Sequence, residues 1–351
     1  MQINSVKFIS PAFLLALLSI LPHGLTYQPH ENDSVSLTLI NEFPSADHDI
    51  FIGYINSMSL DESNNIYITD WRSSTIHVFN AKGESTKSVH KPGRGPGEFF
   101  YPTFSIAQNN NLYINDTGNR RLVITDLDGI EVNTFLFDLH APASFAIADD
   151  KLFILPDYGR IPSSEIPELS LVHVYDLSGN RIGEFGELPL FVDNMIPLAG
   201  RAIIKPSDDH LYILFTYYPL MQVYSMEGDL QSEYRFDKMG YEALIPGNYK
   251  SRSFSAQGAN VRFLFKGLEV NDYGIFILHH HDPVKIVHFD KQFNYIQTFR
   301  SPSDIRIDYV FDMSVVNNQN EEGAENFRFY IANSLEDEYK VSVFEADSVK
   351  F

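Results

Sequence analysis

An apolar triplet with an aromatic centre recurs six times along this chain: Ile66-Tyr67-Ile68, Leu112-Tyr113-Ile114, Leu152-Phe153-Ile154, Leu211-Tyr212-Ile213, Ile275-Phe276-Ile277 and Phe329-Tyr330-Ile331. The aromatic centres are 46, 40, 59, 64 and 54 residues apart. A second alternating run follows each triplet, from Ile76 to Phe79, Leu122 to Thr125, Val172 to Tyr175, Met221 to Tyr224, Ile286 to Phe289 and Val341 to Phe344. Most of these runs end in a turn such as Asp126-Leu127-Asp128-Gly129 or Asp176-Leu177-Ser178-Gly179. Asp supplies a side-chain acceptor at the start of such a turn, and Gly takes positive φ at its end. A third run leaves the turn, and another run with a polar turn precedes each triplet. Each unit therefore reads as four short strands, A to D from the inside outward.

Six such units with no convincing helix between them predict an all-β fold, a six-bladed β-propeller of four-stranded antiparallel blades. One blade cannot bury both of its faces, so blades stack around an axis. The triplet is strand B, apolar on both sides because neighbouring blades cover both faces. The sixth unit has three clear strands and at most Ser348 to Phe351 as a fourth. The segment Val35 to Phe43 alternates cleanly and is expected to pair with strand C of the last blade, closing the ring and removing an exposed edge.

The first 26 residues resemble a signal peptide. Lys7 is followed by an apolar run of 14 residues from Phe8 to Leu21, too short to span a bilayer, and then by Pro22, Gly24 and Thr26. Residues 27–351 are then expected to be one propeller domain. There is no Cys, which fits a bacterial periplasm or exterior better than a small disulfide-rich secreted domain. No other apolar run approaches transmembrane length. The formal charge of −20 becomes −21 without the leader, which carries one Lys and no acid. That charge argues against generic nucleic-acid binding, which rests on neutralising phosphates. A monomer is expected.

Residues 93–129 carry a family likeness. Gly93-Arg94-Gly95-Pro96-Gly97-Glu98-Phe99, Pro102, Leu112-Tyr113-Ile114, Asp116, Asn119-Arg120-Arg121-Leu122-Val123 and Asp128-Gly129 together resemble one NHL repeat. The first unit matches in part, and the others keep only the strand rhythm. The chain thus resembles six-bladed propellers exported by Bacteroidetes-type bacteria. Gly93 to Phe99 lacks the Lys-Ser/Thr ending of a phosphate loop, so its expected role is to turn the chain between blades, with Phe99 filling the gap.

In such a ring the D-to-A and B-to-C loops share one face, the top. It carries the long insertions, Asp157 to Ser170, Glu187 to Arg201 and Asp237 to Arg262, and long loops on a rigid scaffold are a common place for a site. Segments assigned to the top make up 117 of 325 residues yet hold nine of the 13 arginines. Arg is favoured where carboxylate or phosphate is gripped in a fork. The candidate binding residues are Arg160, Arg201, Arg252 and Arg262, with Trp71, Tyr158, Tyr217 and Tyr218 as stacking groups, for a peptide, protein or small polar or acidic ligand. The alternative is that arginines pair with Asp70, Asp116 and Asp157 to stitch blades together.

His279-His280-His281 is the other outlier. His279 and His281 share a side of an extended chain and could bind a divalent metal in the axial channel, but no third ligand stands at a local spacing. No cofactor is otherwise expected. The resemblance also admits a metal-dependent enzyme, either lactonase-like hydrolase or amidating-lyase-like. The inner strands, however, begin near Ile55, Thr103, Ser144, Ala202, Phe263 and Phe311, with Asn56 and Asp312 the polar candidates beside them.

Overall fold

The computed structural model describes residues 34–45, 50–137, 142–158, 169–188, 201–236, 263–280, 284–319 and 325–346. The first strand, β1 (Ser34–Phe43), is followed by blade 1, formed of β2 (Ile55–Leu60), β3 (Ile66–Asp70), β4 (Thr75–Phe79) and β5 (Ser85–His90). Blade 2 is β6 (Pro102–Gln108), β7 (Asn111–Asp116), β8 (Arg121–Asp126) and β9 (Glu131–Leu136). Blade 3 is β10 (Pro142–Ala148), β11 (Lys151–Pro156), β12 (Ser170–Asp176) and β13 (Arg181–Glu187). Blade 4 is β14 (Ala202–Ser207), β15 (His210–Phe215), β16 (Leu220–Ser225) and β17 (Leu230–Arg235). Blade 5 is β18 (Phe265–Asn271), β19 (Gly274–His279), β20 (Lys285–Phe289) and β21 (Tyr295–Arg300). Blade 6 adds β22 (Tyr309–Gln319), β23 (Glu325–Leu335) and β24 (Glu338–Ala346). Consecutive strands pair antiparallel within every blade.

The expected closure is present. β1 pairs antiparallel with β24, from Leu37 opposite Ala346 to Phe43 opposite Val341, and supplies the outer strand of blade 6. Its first residues, Ser34 to Ser36, also pair parallel with Thr298 to Arg300 of β21, so one strand joins the outer edges of blades 5 and 6.

Apolar clusters fill the gaps between neighbouring blades. Between blades 1 and 2 lie Tyr67, Val78, Val89, Phe99, Leu112 and Val123; between blades 6 and 1 lie Phe43, Ile55, Ile68, Tyr330 and Val343. The B strands are buried on both faces, as their apolar triplets require. The C-to-D turns follow their sequence chemistry: Asp126 Oδ1 accepts from the N–H groups of Asp128 and Ile130 at 2.9 and 2.8 Å. The turn glycines also meet the outer strand of the preceding blade. A Cβ on Gly83, Gly129 or Gly179 would lie 2.4 to 2.6 Å from Phe43, Val89 or Phe135, and all three have φ between 80 and 90°. Phe43 thus occupies for blade 1 the place that Val89 occupies for blade 2. Gly83→Ala is expected to cost about 2 kcal/mol through backbone strain and overpacking, and a chemical denaturation curve on each protein reads it directly.

Gly93 to Phe99 forms the expected blade connection. Phe99 is fully buried, its N–H donates to Lys91 O at 2.8 Å, and Arg121 Nη2 donates to the carbonyls of Gly95 and Glu98.

Candidate functional site

The A strands surround the axis, and a local irregularity aims one residue of most of them at the channel mouth. In five blades the A–B register shifts near the start of strand A, as a β-bulge does: between Ile55 and Ser57, Pro102 and Phe104, Pro142 and Ser144, Phe265 and Gly267, and Val310 and Asp312. A bulge re-aims a side chain. The extra residues, Asn56, Thr103, Ala143, Lys266 and Phe311, all line a cavity of about 350 Å³ at the top of the axis. β14 of blade 4 runs without a shift and contributes Ile203 and Lys205.

The cavity wall is chemically divided. Blades 1 to 3 supply the neutral polar groups Asn56, Thr103, Thr117 and Ser144 and, just after β11, the carboxylate of Asp157, while blade 4 adds the neutral Thr216. Blades 4 to 6, with the residues leading into them, supply Arg201, Lys205, Lys266 and Asp312, and Asp157 stands opposite Arg201 at 3.9 Å. Lys205 also borders a second cavity of about 440 Å³ toward the bottom, where Glu269 meets its ammonium at 3.4 Å. This pair divides the channel.

These groups perturb one another. Burial pushes the Asp312 carboxyl up to about 6, against the pull of Lys205 and of hydrogen bonds from the N–H groups of Met58 and Met313. Burial lowers the Lys266 amine to about 8, helped by repulsion from Arg201 and opposed by Asp312. Burial acts against the charge of Lys205 but is outweighed by Glu269 and Asp312, so its amine is raised; burial raises Glu269. The two shifts pull in opposite directions on one pair. Both side chains keep about a quarter of their surface open to the channel, at 26% and 21%, which favours the charged pair.

Lys266 differs from the other cations of the cavity. Arg201 has Asp157 and Lys205 has Glu269, whereas among the described residues no carboxylate lies within salt-bridge distance of Lys266. Its Nζ rests 3.4 Å from the centre of the Phe263 ring. Phe263 stacks on Tyr217 at 4.3 Å, and Arg201 is near enough for its charge to offset part of the rise that burial gives the Tyr217 hydroxyl. One strut therefore places Lys266 and Arg201 on the same side of the mouth.

The residues expected from sequence divide accordingly. Arg201 lines the cavity, while Arg160, Arg252, Arg262 and His281 lie outside the described residues. Tyr217 is buried as the support just described, not as an open stacking platform. Tyr158 and Tyr218 are core residues, each 1% exposed, and the Tyr158 hydroxyl donates to Ser170 O. Both residues follow the second strand of their blades, but their rings turn inward because the gap between blades 3 and 4 is filled from that end. Trp71 is on the surface, 37% exposed, and stacks on Tyr101 at 5.0 Å. His279 is buried with its ring edge-on to Phe265. Among the described residues no three His, Asp or Glu side chains converge as a metal site would require.

Some arginines do stitch the blade connections. Arg121 Nε donates to buried Asp116 at 2.8 Å. Asp70 plays the corresponding part in blade 1 through backbone groups, accepting from the N–H groups of Gly53, Tyr54 and Arg72. Burial alone would raise its carboxyl; the His77 imidazole 3.7 Å away and hydrogen bonds from the N–H groups of Gly53 and Ser73 outweigh that and hold it at about 2.

Residues 46–322 match the 6-bladed beta-propeller family, and the chain belongs to it. It is similar in structure to an exported protein of Bacteroides fragilis at 12% identity and a TM-score of 0.56, covering 93% of this chain and 98% of that one. A DUF4221-family protein of Bacteroides vulgatus superposes at 12% identity and a TM-score of 0.57, covering 91% and 99%. A streptogramin B lyase shares the fold at 12% identity and a TM-score of 0.52, covering 90% and 88%. No curated protein matches the chain. Among the described residues no helix is long and apolar enough to cross a membrane.

Proposed function

We propose that this chain is an exported binding propeller that takes a small organic anion into the top of its axial channel. The observation that carries this reading is Lys266, an ammonium inside a cavity with no carboxylate at salt-bridge distance among the described residues. A half-buried ammonium that meets an aromatic face but no carboxylate among the described residues is incompletely compensated, and an anionic ligand would supply the missing counter-charge. Arg201 would hold the same anion from the mouth through the strut of Tyr217 and Phe263. In a chain of net charge −20 the cavity gathers three cations, of which Arg201 and Lys205 are paired with Asp157 and Glu269 and Lys266 is left facing the space. Export is supported by the first 26 residues and by the exported Bacteroides fragilis neighbour.

The test is calorimetric titration with a panel of small monocarboxylates against the unmodified protein and Lys266→Met. Loss of one charge-assisted hydrogen bond of about 1.5–3 kcal/mol is expected to weaken binding by about 10- to 100-fold. The pH dependence has a definite sign. An anion prefers the charged amine, so affinity should hold near pH 7 and fall as pH rises through the Lys266 value of about 8. Protonating Asp312, at about 6, should raise affinity toward acid. Arg201, Lys205, Asp157 and Glu269 are the other charged groups around the two. Equal affinity for Lys266→Met and the unmodified protein at pH 7 would rule out this anchor.

A further inference from the structure

We infer that the ligand of the top cavity is a hydroxylated carboxylate of sugar-acid size, bound with its carboxylate toward Lys266 and its hydroxyls toward blades 1 to 3; this rests on the anion-binding reading above. The independent observation is Ser144. The residue is 4% exposed, it lines the cavity, and its hydroxyl has no hydrogen-bond partner among the described residues. A buried hydroxyl left unmet is destabilising, and such groups in native proteins call for an explanation.

The neighbouring groups point to the same chemistry. The Asn56 side-chain N–H donates to Thr103 O, which leaves its amide oxygen as an acceptor facing no described donor. Thr103 and Thr117 are already satisfied, since their hydroxyls bond each other at 2.6 Å. Asp312 accepts from two backbone N–H groups. An ionised carboxylate offers about four acceptor positions, so about two remain for ligand hydroxyls. The groups open to a ligand therefore comprise the buried Ser144 hydroxyl, the solvent-facing Asn56 amide oxygen and an edge of the half-buried Asp312 carboxylate, together with one ammonium. A plain carboxylate would satisfy the ammonium and leave the rest. A neutral polyol would do the reverse.

Size and shape agree. A volume of about 350 Å³ equals about a dozen waters at liquid density, which suits a molecule of about 10–15 non-hydrogen atoms. Phe104 and Phe311, both half-buried, supply flat apolar surface between the polar groups, on which the C–H face of a ring can rest.

The test is calorimetry on the unmodified protein at pH 7 with matched probes. Glucuronate, galacturonate and gluconate carry charge and hydroxyls. Cyclohexanecarboxylate carries the charge alone, and glucose the hydroxyls alone. At least one hydroxy acid is expected to bind at least tenfold more tightly than cyclohexanecarboxylate, with glucose weaker still. Ser144→Ala should weaken the hydroxy acid by about fivefold, the scale of one neutral hydrogen bond, and leave cyclohexanecarboxylate unchanged. If cyclohexanecarboxylate binds as well as every hydroxy acid, the hydroxyl inference is overturned and anion binding stands. If no acid binds, or if glucose equals the best acid, both are overturned. The probe comparison needs no variant, so it decides the matter even if Ser144→Ala folds poorly.

Discussion

Deletion of residues 34–43 is expected to lower the melting temperature by at least about 10 °C, with aggregation of the heated protein. β1 is the outer strand of blade 6 and contributes Leu37 and Phe43, both at most 2% exposed, to two different gaps. Losing two such side chains removes about 5–8 kcal/mol, and for a domain of this size each kcal/mol is worth about 2 °C. The deletion also strips hydrogen-bond partners from β24 over Val341 to Ala346, leaving a bare edge that invites pairing between molecules. Leu37→Ala with Phe43→Ala separates the two effects, because it empties the gaps but keeps the backbone ladder. It should melt early without aggregating as readily. Differential scanning calorimetry with light scattering distinguishes these outcomes, and an unchanged transition in the deletion would refute ring closure by β1.

That prediction could be framed from sequence because closure is written in a period of two. Val35, Leu37 and Leu39 alternate with Ser36 and Thr38 on a segment that no other unit claims, and a strand with one buried face has a strongly determined register. The six triplets were legible for a related reason: burial on both faces demands continuous apolar runs, which stand out in a chain rich in polar turns. The parallel contact of Ser34 to Ser36 with β21 was not legible. It depends on where blade 5 ends in space, and three polar residues carry no pattern for it.

The site was less legible than the scaffold. Arginine enrichment drew attention to the top face and found Arg201, and Asn56 and Asp312 were visible as polar residues beside inner strands. Lys205, Lys266 and Glu269 were missed, although a charged residue inside Ile203-Ile204-Lys205 or Phe265-Lys266-Gly267-Leu268-Glu269 interrupts an apolar strand. Such an interruption normally marks a solvated face. On an innermost strand it marks the channel, and that distinction needs the fold first. The A-strand bulges were also hidden, because inserting one residue into a strand leaves no composition signal, yet they set which residue reaches the mouth.

Asp116→Ala is expected to destabilise the protein by about 3–5 kcal/mol, the usual consequence of leaving one member of a buried ion pair alone. Asp116 is fully buried and accepts from Phe100 N at 2.7 Å, Asn119 Nδ2 at 2.7 Å and Arg121 Nε at 2.8 Å. Truncation strands three donors, one of them on a guanidinium whose side chain is 12% exposed. Asp116→Asn keeps the shape but turns an N–H toward donors, so it should fall between the two. Arg201 supplies the contrast. Its side chain is 48% exposed and its pair with Asp157 is loose at 3.9 Å, and such surface pairs contribute at most about 1 kcal/mol. Arg201→Ala should therefore leave the melting temperature nearly unchanged while weakening anion binding, whereas Arg121→Ala should lower stability and, below its transition, leave binding intact. Opposite responses of stability and affinity in the two variants would mean that the arginines of this face serve two roles: those inside the repeat hold the blades together, and Arg201 at the mouth holds ligand. If both variants lost stability alone, the arginine excess would be purely structural.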